Sequence, residues 1–152
     1  MASASLDGTV KIWDAATGQC LQTLKGHSGA VMSAAFSHDS RRVASASWDH
    51  TIKIWDAATG QCLQTLKGHS GIVAVVSAAF SYDSRRVASA SSDGTVKIWD
   101  AATGQCLQTL KGHGGHVWSA AFSRYSQQVA SASIDRTVKL WDAATGRSMP
   151  SQ

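Results

Sequence analysis

The chain has no glutamate, one proline (Pro150), three cysteines, and no apolar run long enough to cross a membrane as a helix. Each scarcity excludes something. All ten acids are aspartates, set against 14 lysines and arginines, so the net charge of +4 is a modest bias and not the signature of a strongly basic tail. No charged N-terminal segment leads into an apolar stretch, so nothing marks secretion and a cytoplasmic location is expected. The spacing of cysteine and histidine offers neither Cys-x-x-Cys nor His-x-x-x-His, so no metal is expected, and no cofactor motif is found. A phosphate-binding GxxxxGKS loop is missing as well. With 43% apolar and 16% charged residues, the composition is that of a folded domain.

What is abundant is repetition. TVKIWDAATGQCLQTLKGH opens at Thr9, TIKIWDAATGQCLQTLKGH at Thr51 and TVKIWDAATGQCLQTLKGH at Thr95, and TVKLWDAATG ends at Gly146. Trp13, Trp55, Trp99 and Trp141 are spaced by 42, 44 and 42 residues, the longer interval arising from two extra residues in HSGIVAVVSAAFS after His69. An even insertion keeps later side chains on the same strand face. A period of this length means units that cannot bury their own apolar faces and must stack. Cys20, Cys62 and Cys106 share one repeat position, which places them on successive units, out of disulfide reach; reduced, partly buried thiols are expected.

Each unit reads as four short strands. In the copy that begins at Gly26 they are Ala30 to Ser37, Arg42 to Ser47, Thr51 to Trp55 and Gln61 to Leu66, joined by HDS, WDH and DAATG, with Gly60 able to take positive φ. The β-branched alternation of TVKIW, and the lack of a long 3.6-residue apolar pattern, argue against helical repeats. Four-stranded antiparallel units repeated radially build a β-propeller.

The recurrence of Gly-His at 26 and 27, 68 and 69, 112 and 113, together with Trp-Asp at 13, 55, 99 and 141, resembles the WD-repeat (WD40) propeller family over essentially the whole chain. The near-identical wording KIWDAATGQCLQTLKGHSG is similar to the homogeneous repeats of fungal NLR-type signalling proteins of incompatibility. The resemblance implies an all-β fold and a hydrogen-bonded set in each blade: His27, Asp49 and Trp55; His69, Asp93 and Trp99; His113, Asp135 and Trp141, each with a serine from the preceding ASAS segment. Asp7 and Trp13 form a set without a histidine. It also implies a non-catalytic interaction module. A Ser-His-Asp trio invites comparison with hydrolases, but one that recurs in every unit with a tryptophan suits a scaffold better than a single catalytic cleft.

Positions that vary between otherwise copied units are candidates for function. The turn before the third strand reads LDG, WDH, SDG and IDR, and the segment after Gly-His varies as well. Both lie at one end of a blade, so a binding face is expected to display Trp48, His50, Ile72, His116, Trp118, Ile134 and Arg136, a mixture suited to protein contacts. The alternative is neutral drift, or packing between blades. At the other end, Arg41, Arg42, Arg85 and Arg86 are read as a solvated rim, with a basic arc steering acidic partners as the alternative. Nucleic-acid binding is not expected, since only Tyr125 stands beside the basic residues as a stacking platform. The family's Ser-Pro-Asp-Gly turn is here Ser37-His38-Asp39-Ser40, and in the last copy Tyr125 replaces the aspartate, which predicts a loosened face.

Met1 lies inside ASASLDG, which corresponds to a second strand, while RSMPSQ stands where QCLQTL supplies a fourth, with Pro150 unable to donate to a ladder. About four blade equivalents are expected, 2–25, 26–67, 68–111 and 112–152, the first and last incomplete. Four would each have to subtend about 90° to close a ring, against about 45° to 51° for eight or seven. The expectation is a half-propeller that self-associates, most simply as a head-to-tail homodimer of about eight blades, and presents a face to an unidentified protein. The alternative function is recognition of a small ligand or glycan.

Overall fold

The computed structural model describes residues 1–70 and 74–150. Its described residues form strands and turns with no helix, and so no helix long and apolar enough to cross a membrane. Four antiparallel sheets follow one another along the chain. The first holds β1 (Ala2–Ala4), β2 (Val10–Trp13) and β3 (Cys20–Leu24); the second β4 (Val31–Phe36), β5 (Arg42–Ser47), β6 (Thr51–Asp56) and β7 (Cys62–Lys67). The third holds β8 (Val75–Phe80), β9 (Arg86–Ser91), β10 (Val96–Asp100) and β11 (Cys106–Leu110); the fourth β12 (Val117–Phe122), β13 (Gln128–Ser133) and β14 (Val138–Asp142). Each strand pairs with its sequence neighbour, so every sheet is a meander.

The period-2 pattern gives each sheet two apolar faces. In the second sheet Ile52, Ile54 and Leu66 point one way with Ala44 and Ala46, and pack on Val75, Phe80, Val87 and Trp99 of the third. Val43 and Trp55 point the other way, onto Val10, Ile12 and Leu24 of the first. The third sheet repeats the arrangement against Val117, Val129 and Trp141 of the fourth. The core is therefore a series of inter-sheet seams, as stacked repeats require. The last sheet has no neighbour on its outer face: Val138 is 69% and Leu140 43% exposed, where Val96 and Ile98 are 0%.

The turns are tied by aspartate. Asp56 Oδ1 accepts the N–H groups of Ala58 and Thr59 at 2.9 and 2.8 Å, and Gly60 closes the loop at φ 76°. A bulge then shifts the register, so that Trp55 pairs with Cys62 and Ile54 with Gln64. This is why the fourth strand starts one residue later than the sequence pattern suggests.

Three expectations are corrected. Cys20, Cys62 and Cys106 are exposed, not partly buried, because the outermost strand buries only its late leucine against the next sheet and its start faces solvent. The arginines at 42 and 86 are not a free rim. Arg42 donates through Nη2 to the carbonyl of Ser84 on the next sheet and lies over the Phe80 ring at 5.4 Å; Arg86 does the same with Ser126 and with Phe122 at 5.3 Å. The turn that lost its glycine is also not loosened. Ser40, Ser84 and Ser126 occupy the left-handed region at φ 60°, 60° and 58°. The hydroxyls of Ser84 and Ser126 accept from Asp39 N at 3.2 Å and Tyr82 N at 2.8 Å on the preceding sheet. What serine loses in backbone freedom it offsets with an inter-sheet hydrogen bond.

Ile98→Ala, at a fully buried seam position, is expected to cost about 2–5 kcal/mol by urea denaturation. Leu140→Ala, at the same repeat position with much of its side chain already in water, is expected to cost less than about half as much in dilute solution.

Candidate functional site

The second, third and fourth sheets each carry a buried polar chain. In the second sheet Trp55 Nε1 donates to Ser45 Oγ at 2.8 Å, Ser45 Oγ lies 2.7 Å from His27 Nε2, and His27 Nδ1 lies 2.7 Å from Asp49 Oδ2. The third sheet has Trp99, Ser89, His69 and Asp93 at 2.8, 2.7 and 2.9 Å, and the fourth Trp141, Ser131, His113 and Asp135 at 2.7, 2.8 and 2.9 Å. The serine in question is the first of each ASAS segment. In the first sheet Trp13 donates to Ser3 at 2.8 Å, and Asp7 holds its own turn through Thr9.

The donors constrain the proton positions. Indole N–H can only donate, so the serine oxygen accepts from tryptophan, and its own hydrogen can go to Nε2 of a neutral imidazole. That imidazole carries its proton on Nδ1 and donates it to the carboxylate. At His27 and His69 burial favours this neutral form. Burial pushes His27 and His69 below the ordinary imidazole value, against the pull of Asp49 and Asp93. Asp49 is raised by burial but lowered further by the Thr51 hydroxyl and by His27, to a net value of about 2. Every buried side-chain nitrogen and oxygen among the described residues has a partner.

The trio has the connectivity of a hydrolase triad without its accessibility. Ser45 and Ser89 are 0% exposed and their oxygens are already engaged by tryptophan. No substrate atom reaches them in this arrangement, and the set works as a strut. Among the described residues no group of histidine, cysteine and aspartate side chains is placed to hold a metal ion.

The variable positions lie where the strand order puts them, at one end of the sheets. Trp48 N, Ser92 N and Ile134 N bond to the carbonyls of Ala30, Ala74 and His116, joining each second-to-third turn to the incoming loop of the same sheet. In the fourth sheet His116, Trp118 and Ile134 come together, the His116 and Trp118 rings 6.3 Å apart, with Arg136 on the same turn as Ile134. Trp48 and His50 form a separate pair on the second sheet. Trp48, Trp118 and Ile134 are 55%, 53% and 57% exposed. Ile72 lies outside the described residues. His50 and Arg136 take φ 71° and 66°, where the other two copies have Gly8 and Gly94 at 86° and 84°. A bulky residue in the left-handed region carries local strain that glycine avoids.

Sequence reasoning missed the inter-sheet ties. Gln22, Gln64 and Gln108 each reach the next sheet's turn, donating through Nε2 to the carbonyls of Ala58, Ala102 and Ala144 at 2.8, 2.7 and 2.7 Å. Their identical recurrence opposite an identical turn was the available signal.

Meandering antiparallel sheets stacked face to face, each locked by an internal Trp-Ser-His-Asp chain, define a repeat protein of the β-propeller type. The WD domain, G-beta repeat family matches residues 1–14, 18–56, 60–100 and 104–142, and this chain belongs to that WD40 family. Individual relatives match over one repeat length. Nuclear distribution protein PAC1-2 of Uncinocarpus reesii is 49% identical over 41 residues, 27% of this chain and 9% of that protein. Apoptotic protease-activating factor 1 of Danio rerio is 55% identical over 42 residues, 28% and 3% of the two chains. F-box-like/WD repeat-containing protein TBL1X of Mus musculus is 49% identical over 41 residues, 27% and 8%. The chain thus matches under a tenth of the length of these relatives.

Between its folded and unfolded values, each shifted histidine and aspartate binds fewer protons in the folded chain, so acid destabilises the fold. Full stability is expected above the ordinary imidazole value of 6.5, with one loss below it as His27 and His69 are forced to charge, and another from 3.8 toward about 2 as Asp49 protonates. Urea midpoints measured across this range check it; a midpoint unchanged between neutral pH and the carboxylate range would contradict the neutral-histidine assignment.

Proposed function

We propose that this chain is a WD40 interaction module, one half-propeller of blades 2–25, 26–67, 68–111 and 112–152, which joins a second copy to complete its ring and presents a face to a protein partner in the cytosol. WD40 repeats are typically protein-interaction scaffolds. The observation that carries the self-association is the uncovered seam of the last sheet. Val138 and Leu140 stand open where the six equivalent residues of the earlier copies are 0–5% exposed. Beside them a groove of about 850 Å³ runs past Gln128, Lys139, Met149 and Pro150 along the edge of β14, which Ser148 and Met149 meet at Trp141 and Leu140. Such a surface favours association with whatever carries the complementary face. That face exists in the same chain, since Trp13 is only partly buried where Trp55, Trp99 and Trp141 are 1% exposed. Head-to-tail pairing of two copies would use each surface once and close.

The partner face is the end of the sheets that carries Trp48 and His50, and His116, Trp118, Ile134 and Arg136. Its support is the combination of exposed aromatic side chains with left-handed non-glycine backbone at His50 and Arg136. The likeness of the repeats to fungal NLR-type proteins supports a sensing role for this face within a larger assembly.

Light scattering over a dilution series is expected to give the mass of two chains. Val138→Asp with Leu140→Asp should give one chain with unchanged circular dichroism; a wild-type chain that stays single at every concentration would overturn the pairing. Trp48→Ala with Trp118→Ala is expected to alter stability by no more than about 0.5 kcal/mol, while removing proteins that the wild-type chain retains from a cell extract. Equal recovery by both would place the binding face elsewhere.

A further inference from the structure

The absence of glutamate has a consequence for the surface. All ten aspartates accept at least one backbone N–H of a turn or loop, from Thr9 N on Asp7 to Ala144 N on Asp142. Each is held below the ordinary carboxylate value, so each stays ionised in that role. Among the described residues carboxylates contact a basic side chain in the three His-Asp hydrogen bonds of the buried chains, and no lysine pairs with a carboxylate. All seven lysines of the sequence, at 11, 25, 53, 67, 97, 111 and 139, lie on the third strand of a unit or on or just after its fourth.

Strand register gathers them. On β6 and β7, Lys53 pairs with Thr65 and Thr51 with Lys67, so two lysines and two threonines share one face of the hairpin. They line a cleft of about 550 Å³, in which Lys53 Nζ donates to Thr65 Oγ1 at 2.9 Å. On β10 and β11, Lys97 pairs with Thr109 and donates to it at 2.8 Å; with Lys111 and Thr95 they line a second cleft of about 260 Å³. Gly68 borders both, so the two clefts adjoin. The first contains one carboxylate, Asp49, whose oxygens are taken by Thr51, Ser28 and His27; the second contains none.

We propose that these adjoining lysine-threonine clefts form a binding track for a linear chain of phosphoryl groups. Ammonium groups are point cations and threonine hydroxyls are small donors, a set that neutralises tetrahedral oxyanions without demanding the fork geometry of arginine. Recurrence in successive units suits a ligand whose charge also recurs, and two adjoining sites raise affinity beyond either alone. Neither cleft is lined by Phe, Tyr or Trp, and the imidazoles of His50 and His69 in the first are the aromatic rings present, so base stacking is weakly provided for and nucleic acid is disfavoured. The track lies apart from the open seam at β14 and does not depend on self-association.

Inorganic polyphosphate is the probe, titrated calorimetrically into the full chain. Binding is expected to weaken steeply between about 50 and 200 mM salt as counterion release is suppressed, with orthophosphate far weaker than the polymer. Replacing Lys53, Lys67, Lys97 and Lys111 by Gln is expected to lower affinity about tenfold or more, whereas replacing Arg41, Arg85, Arg124 and Arg147 by Gln removes equal charge and is expected to change it by no more than about threefold. A fourfold Lys→Arg variant guards against loss of fold and should bind. Several outcomes would overturn the track: no polyphosphate binding by the wild-type chain at low salt, equal losses in the two Gln variants, or a folded Lys→Arg variant that does not bind. Tighter binding of single-stranded DNA or of a sulfated polysaccharide than of polyphosphate would overturn the assignment to phosphoryl chains.

Discussion

The structure depends on a directed run of hydrogen bonds from indole to hydroxyl to imidazole to carboxylate. Its direction is forced at one end by tryptophan, which can only donate, and at the other by an ionised aspartate, which can only accept. Between them serine and a neutral histidine each pass one hydrogen along, so every member is satisfied and the chain rigidifies what it touches. It fastens the inner strands of a sheet to the Gly-His loop that arrives from the previous one. The glycine is needed because the tryptophan ring lies across it: a Cβ on Gly26 would come within 3.2 Å of Trp55, at a backbone φ of 154°.

Around this strut the chemistry of the acids and bases divides cleanly. Aspartate is short enough to reach its own turn's N–H groups, and here each one does so, which ties every carboxylate to a turn in place of a direct bond to a lysine. The cations follow two fates. Arg42 and Arg86 cross the seam to a carbonyl and a phenyl ring of the next sheet, a task for a planar group that is weakly hydrated. The lysines remain on the outer hairpins with hydroxyl neighbours. A small net charge therefore conceals a local pattern, with four lysines gathered in two clefts and the aspartates tied to turn backbone.

Stacking repeats makes the seams the core and the ends the liabilities. Leucine, isoleucine and valine at identical repeat positions are fully buried or largely wet according to whether another sheet follows. The same repeat position is thus a core position in one copy and an exposed one in another, with little change in local sequence.

The strands and their order within each unit were legible in the sequence because they rest on local rules, while the His, Asp and Trp partners were named through the family resemblance. Alternation sets the faces, turn residues set the breaks, and four near-copies reveal which positions are held constant. The neutral tautomer, the serine that completes each chain, the exposure of Cys20, Cys62 and Cys106, and the ties made by Arg42, Ser84 and Gln64 were decided only by the tertiary structure. These depend on how one unit is rotated and set against the next, some 40 residues along the chain. A period-2 pattern records which side of a strand is apolar; it does not record what stands opposite.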